Sequence, residues 1–185
     1  MSVHGRLLRG QKVRLMALTD RDVPTIARWA DDTEFLRLYD ARPARPRSEE
    51  EIRQMVERVR EDDQTFAFAI RPLDQDELIG TLELDEILWS HQVCGIGIAI
   101  GDRANWGKGH GSEAAALGLR FAFDELNLHR VTATVFSYNE RSIALVESLG
   151  FQREGTFREF IHRDGQRHDM LLYGLLRHEW EAGRR

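Results

Sequence analysis

One stretch limits what this chain can fold into more than any other: Ile98-Ala-Ile-Gly-Asp-Arg-Ala-Asn-Trp-Gly-Lys-Gly-His-Gly-Ser-Glu-Ala114. It begins as an apolar strand, passes through a loop with glycine at every second position, and opens into an alanine-rich helix. Gly107, Gly109 and Gly111 are expected to supply backbone conformations that a side chain would block. Successive amides in such a turn converge on one spot, and the helix behind them adds its positive dipole end. Together they form a seat for phosphate or pyrophosphate. The plain alternative is a glycine-rich turn with no ligand.

Several nucleotide-binding patterns share that physics, and the details separate them. A nucleotidase-type phosphate loop ends in Gly-Lys-Ser or Gly-Lys-Thr, whereas Lys108 is followed by Gly109. The dinucleotide fingerprint needs Gly-x-Gly-x-x-Gly and an acid about twenty residues on. Here the third glycine comes one residue early, and Val131 stands where the acid belongs. Trp106-Gly-Lys-Gly-His-Gly111 instead resembles the Arg/Gln-x-x-Gly-x-Gly/Ala signature of the GCN5-related N-acetyltransferases (GNAT), with Trp106 in place of the usual Arg or Gln. The backbone amides rather than that side chain are then expected to hold the pyrophosphate of acetyl-CoA.

A second stretch points the same way. Val131–Phe136 reads as a strand, and Asn139-Glu-Arg-Ser-Ile-Ala-Leu-Val-Glu-Ser-Leu-Gly-Phe151 resembles the family's Asn-x-x-Ala/Ser motif with its Leu-Gly-Phe ending. Asn139 can cap a short helix, Gly150 can end it, and Ile143, Val146 and Leu149 make one apolar stripe. The resemblance spans roughly residues 11–178 as one acetyltransferase domain, leaving 1–10 and 179–185 as terminal segments. It is nearest to the ribosomal-protein-alanine and polyamine acetyltransferase branch. It implies an α+β single-domain fold, with a mixed, mostly antiparallel twisted sheet of about seven strands flanked by about four helices. The Ile98 and Val131 strands should splay apart to admit the cofactor. The expected cofactor residues are Ile98, Ile100, Trp106, Gly107, Lys108, Gly109, His110, Gly111, Ser112, Asn139 and Ser142.

Composition narrows the setting. A chain of 185 residues suits one domain with a sizeable core. No apolar run is long enough to cross a membrane, and the start, Met-Ser-Val-His-Gly-Arg, lacks the apolar block of a signal peptide. The lone Cys94 cannot form an internal disulfide, which fits a reducing cytoplasm. A net charge of -5 argues against nucleic acid as the main partner and permits cationic ones. The expected partners are an amine acceptor, either a small molecule or a protein N-terminus, and a second copy of the chain in a homodimer.

Along the rest of the chain, Lys12–Leu18 reads as a first strand. Thr19 opens a helix that buries Ile26, Trp29 and Ala30. Ser48 caps a helix with Glu49, Glu50 and Glu51 in its first turn and Ile52, Met55, Val56 and Val59 on its apolar stripe. The acids here and at Asp31, Asp32 and Glu34 read as solvated helix starts. The alternative is that they draw a cationic amine toward the cleft, as acids do in the related polyamine enzymes. Thr65–Ile70 and Glu77–Asp85 read as paired strands, with Ile79, Thr81, Glu83 and Asp85 on one face of the second. Gln92–Ile100 is the strand before the glycine loop, and the small residues in its Gly95-Ile-Gly-Ile-Ala-Ile run allow close backbone approach. Thr156–His162 and Gln166–Leu176 form a hairpin around Asp164-Gly165. The tail from Arg177 reads as a polar last turn.

The resemblance implies direct attack of an amine on the thioester without an acyl-enzyme, so Cys94 is expected to be a small buried residue rather than a nucleophile. Deprotonating an α-amine of pKa about 8 at pH 7 costs about 1.4 kcal/mol, and a lysine-type amine of about 10.4 costs about 4.6 kcal/mol. Glu83 is the first candidate for the base, with Glu159 or a water as the runner-up; Glu113 reads as structural. His91 and His110 titrate conveniently, but His110 sits where its backbone should serve the cofactor. Many family members carry, seven residues after the motif asparagine, a tyrosine that protonates the thiolate; that position is Val146. Ser142, three after Asn139, matches the serine that the ribosomal-protein branch places against the coenzyme sulfur, where a hydroxyl could stabilise the leaving thiolate. Tyr138 and Tyr173 are weaker substitutes. No spacing favours a metal site. Two function classes stay open: an N-acetyltransferase, and a catalytically silent acyl-CoA-binding module, which the missing tyrosine permits.

Overall fold

Side-chain alternation and turn chemistry divide the chain into seven strands, seen in a computed structural model that describes residues 7–183. Residues 1–6 and 184–185, parts of the two expected terminal segments, lie outside the described residues. The strands are β1 (Val13–Ala17), β2 (Phe66–Pro72), β3 (Gly80–Leu88), β4 (Val93–Ile100), β5 (Arg130–Phe136), β6 (Gln152–Arg163) and β7 (Gln166–Leu176). They form one sheet in the order β1-β2-β3-β4-β5-β7-β6. Every neighbouring pair is antiparallel except β4 and β5, which run parallel.

That parallel seam positions the site. β4 and β5 pair only at Val93↔Arg130, Cys94↔Val131 and Gly95↔Thr132. Beyond Gly95 they diverge, although β4 runs on to Ile100 and β5 to Phe136. The expected splay is present, and it opens a wedge in the middle of the sheet.

The helices are α1 (Val23–Ala30), α2 (Thr33–Tyr39), α3 (Glu49–Glu61), α4 (His110–Arg120), α5 (Glu140–Ser148) and α6 (Arg177–Gly183). The four of eight residues or more match the sequence reading; α2 and α6 are short additions. α2 forms because the Asp32 side chain accepts from the Glu34 and Phe35 amides, an N-cap on what reads as a plain acidic run. α6 is less polar than its sequence reads, since Trp180 packs on the core and stacks on Phe123 at 6.1 Å. Ser48 caps α3 with a capping box completed by Glu51.

Apolar side chains collect on both faces of the sheet. One core joins α1, α2 and α3 to Ala69, Leu78 and Ala99. The other joins α4, α5 and Trp180 to Ile70, Leu82, Leu84, Val131 and Leu175. The alternation in β4 serves both at once: Ile96, Ile98 and Ile100 pack toward the second core, while Ala99 joins the first. Ile79 falls just before β3 and joins Leu82 in the second core, so only Thr81, Glu83 and Asp85 share the opposite face as expected. A buried ion pair, Asp22 to Arg71 at 2.6 Å with both side chains 2% exposed, fastens the start of α1 to β2.

At the far edge, Arg163 and Gln166 close the β6–β7 hairpin around Asp164 (φ 50) and Gly165 (φ 74). A two-residue turn needs two left-handed residues, and Asp-Gly supplies them.

Candidate active site

The glycine loop leaves β4 at Ile100 and enters α4 at His110. Gly107 (φ 72) and Gly109 (φ 81) are left-handed, as the glycine spacing requires. Gly111 is not; it lies inside α4, where a Cβ would meet only Ile100 Cγ1 at 3.6 Å. Its smallness therefore clears space beside the cavity and does not serve the backbone fold.

The loop is braced from three sides. The Trp106 Nε1–H donates to the Ile100 carbonyl at 2.7 Å and folds the loop back onto the strand it left. Lys12 Nζ donates to the Lys108 carbonyl at 2.8 Å. Glu113, in the first turn of α4, accepts from the backbone N–H groups of Gln11, Lys12 and Val13 at 2.8, 2.7 and 2.7 Å. Burial works to raise the Glu113 pKa, but these donors outweigh it and hold the carboxyl below its ordinary value. Glu113 is structural, as its place in the helix suggests.

Two cavities meet in the wedge between β4 and β5. The larger, about 520 Å³, runs along the glycine loop and α5. The smaller, about 210 Å³, lies between the diverging strands and is walled by Gly97, Val135 and Val146. Leu38, Tyr39, Ile98, Asn139, Ser142 and Leu145 line both. Asn139 holds that junction together. Its Oδ1 accepts from the Ser142 amide at 3.2 Å and so starts α5, while its Nδ2 donates to the Leu38 carbonyl of α2 at 3.3 Å.

Glu83 stands directly opposite Gly97 in the β3–β4 ladder, and Asp85 opposite Gly95. A Cβ at Gly95 would come within 2.3 Å of Asp85 Oδ1, whereas one at Gly97 would meet nothing within 4 Å. The glycines of β4 thus make a trough for two carboxylates, and it stays open beside Glu83. Burial, and then the Asp85 charge, raise the Glu83 pKa, while the Tyr39 hydroxyl opposes them. Burial, then Glu86, likewise raise that of Asp85. Burial, followed by the Glu83 charge, keeps the Tyr39 phenol protonated.

The family model of the acetyltransferase (GNAT) domain matches residues 12–152. This chain belongs to the GNAT acetyltransferases. It is 32% identical over 175 residues to the uncharacterised N-acetyltransferase p20 of Bacillus licheniformis, covering 91% of this chain and 93% of that protein. It is 30% identical over 132 residues to the ribosomal protein uS5-alanine N-acetyltransferase of Escherichia coli, covering 70% of this chain and 67% of that protein. Its fold matches a spermidine N-acetyltransferase of Vibrio cholerae solved with CoA and spermine, with a TM-score of 0.83 and 24% identity over 91% of this chain and 98% of that one.

Within this GNAT fold, the large cavity gathers most of the residues that the two motifs single out. Ile98, Ile100, Trp106, Gly107 and Gly109 line it on the β4 side, His110, Gly111 and Ser112 at the helix start, and Asn139 and Ser142 across from them. Lys108 is the exception: its carbonyl is turned to Lys12 and the residue is exposed outside the lining. His110 is held below its ordinary pKa by burial and then by Lys108 and Lys12, so it is a neutral imidazole near pH 7. The cavity fits CoA on the structure's own terms: left-handed glycines with open space at Gly107, and a His110 Nδ1 that is buried without a partner.

The other candidates lie elsewhere in the fold. Glu159 does not reach either cavity; a bulge in β6 gives it a φ of 53, and it faces an outer surface with Phe157 and Phe160. His91 is exposed in the turn before β4. The Tyr138 hydroxyl donates to the Arg37 carbonyl at 2.6 Å, and that of Tyr173 to Glu147 at 2.9 Å, so both are committed elsewhere. Burial pushes the Cys94 thiol up to about 12, which leaves it an unreactive neutral group, as expected. Val146 is 8% exposed and apolar where many relatives keep a tyrosine. The acidic runs are engaged: Asp32 and Glu34 hold Arg103 at 3.0 and 2.8 Å, and Glu51 holds Arg45 at 2.7 Å. Sequence reasoning missed Tyr39 and Arg141, both of which line the large cavity. Arg141 lies inside the second motif, and Tyr39 ends a helix whose only signal is Asp32 before Phe35 and Leu36. Among the described residues no helix is long and apolar enough to cross a membrane.

Proposed function

We propose that this GNAT chain moves the acetyl group of acetyl-CoA directly to a primary amine, with Glu83 as the base and Ser142 as the group that steadies the departing sulfur. The observation that carries this reading is the shared wall of the two cavities. Ser142 lines both the cavity along the glycine loop and the one between the diverging strands; Glu83 lines neither, but stands opposite Gly97 on the wall of the second. Acetyl-CoA would supply the activated acyl carbon; the residues of the chain do the rest.

The amides at Gly107, Gly109 and His110, with the α4 dipole, would hold the diphosphate. Ile98 and Ile100 would flank the pantetheine arm in the wedge. The open trough beside Gly97 gives an amine access to Glu83, and the Asp85 charge behind it favours a cationic acceptor. Burial brings the carboxylate closer in pKa to the amine it must deprotonate, which lowers the cost of the transfer. The Ser142 hydroxyl is not spent on any other group among the described residues, which leaves it available to donate to a thiolate. The acceptor is a protein N-terminus, a polyamine or a small-molecule amine, in the cytoplasm.

The test is release of free CoA thiol from acetyl-CoA by the full chain in the presence of α-amino peptides, polyamines and small-molecule amines. Turnover of one class identifies the acceptor. Tight CoA binding with no turnover of any class would mark a silent acyl-CoA-binding module and refute the proposal.

A further inference from the structure

Two cationic side chains at the glycine loop, Lys108 and Arg141, form no ion pair among the described residues. The chain as a whole carries a net charge of -5, and its arginines are widely paired, Arg103 with both Asp32 and Glu34. What sets Arg141 apart from the other cations outside ion pairs is its place, on the wall of the cavity that the glycine loop lines. An acidic protein that leaves positive charge unpaired beside a cavity walled by helix-start amides is set up to receive an anion there.

Arg141 is the group held in a defined place. It belongs to the first turn of α5 and comes across the cavity to the loop, where its guanidinium lies 4.5 Å from the centre of the Trp106 ring. That ring is itself fixed by its bond to the Ile100 carbonyl. Stacking on an indole face holds a guanidinium flat while leaving its N–H edge unspent. A flat fork with free donors matches the paired oxygens of a phosphate. The same cavity wall carries Gly107, Gly109 and the start of α4, whose amides and dipole also favour negative charge.

We infer that Arg141, seated on Trp106, is a binding residue for the diphosphate of CoA, supplying from α5 the side-chain contact that a tryptophan at position 106 cannot make. The inference rests on the acetyl-CoA reading above. Trp106 acts as the platform, and the charge comes from the opposite side of the groove. The diphosphate is the partner because Arg141 sits on the ring of Trp106, the residue before Gly107, and lines the same cavity as Gly107 and Gly109.

Calorimetric titration of the full chain with CoA and with dephospho-CoA, which lacks only the 3′-phosphate, tests this. Arg141→Ala should weaken both ligands by the same factor, at least about tenfold, the scale of one bond between charged groups. Arg141→Lys should recover only part of the loss, because an ammonium cannot reproduce the fork. The thermal midpoint without ligand should stay within about 2 °C of wild type, since Arg141 is exposed. CoA affinity within twofold of wild type in Arg141→Ala would overturn the inference. So would a loss seen with CoA and not with dephospho-CoA, which would assign Arg141 to the 3′-phosphate. Failure of the wild-type chain to bind either ligand would instead remove the acetyl-CoA reading, and this inference with it.

Discussion

Replacing Glu113 with alanine should unfasten the first strand from the cofactor helix. Its carboxylate receives three backbone N–H bonds at 2.7–2.8 Å, from Gln11, Lys12 and Val13. Val13 is 0% exposed, so its amide would be left without a partner, at a cost of about 2 kcal/mol. Gln11 and Lys12 are exposed and their amides can turn to water, so together they add only about 1 kcal/mol. The sum is about 3 kcal/mol, and for a chain of this size that lowers the thermal midpoint by roughly 6–12 °C. Glu113→Gln keeps one acceptor oxygen and should lose about half as much. The pH dependence has a definite sign. A carboxyl held below its ordinary pKa adds stability that is present above its unfolded pKa and is lost as pH falls through its folded one. The gap between wild type and Glu113→Gln should therefore be full near pH 7 and shrink on the acid side of pH 4.5. Thermal unfolding followed by circular dichroism from pH 3 to 8 measures both effects. A midpoint for Glu113→Ala within 2 °C of wild type at pH 7 would show that the clamp contributes nothing.

Three further outcomes follow from the site. Ser142→Ala should lower kcat by about a hundredfold with little change in CoA affinity, if its hydroxyl acts mainly on the departing thiolate; steady-state kinetics showing less than a threefold change would return Ser142 to an ordinary helix position. Glu83→Gln should abolish the acid limb of the kcat/KM profile. It should also raise the thermal midpoint at pH 7, because an ionised carboxylate whose folded pKa is raised costs stability above its unfolded pKa; a lowered midpoint would contradict the burial argument. Gly109→Val should damage both stability and CoA affinity, since the position is left-handed and a Cβ would lie 2.8 Å from Lys12 Nζ, whereas Gly111→Val should lose CoA affinity with a much smaller drop in midpoint; equal loss of stability in both variants would show that the two glycines do the same work.

Much of this is legible in the sequence because glycine, capping and alternation act locally. The loop, the Asn139 cap, the Asp164-Gly165 turn and the small face of β4 each depend on residues a few positions apart. What was hidden depends on distance or on irregularity. Tyr39 lines the same cavities as Ser142 because α2 ends beside the splay, and no local pattern encodes that. Glu159 could not be placed from the sequence, because the register of β6 shifts between Phe157 and Ile161 and no local pattern marks that irregularity. Gly111 looks like Gly107 and Gly109 in spacing, but the helix has already begun by then, so its backbone is ordinary. Arg141 was passed over because a surface arginine in the first turn of a helix has no distinguishing signal until the Trp106 ring is placed beneath it.

The short seam between β4 and β5 also bears on how the molecule moves. Among the described residues, three ladder pairs, with the His129 and Arg130 amides donating to the Gln92 carbonyl at their end, stitch β4 to β5. The sheet therefore behaves as two panels with a narrow spine at Val93–Gly95, and its least protected edge is the stretch of β4 from Ile96 to Ile100. A guest lodged in the wedge would brace the panels against each other and slow the opening of that stretch, while β2 and β3, bonded on both sides along their lengths, would feel little change. Under the proposed function, rigidity would be borrowed from the cargo: the sheet would stiffen on loading along the stretch where transfer is proposed to occur.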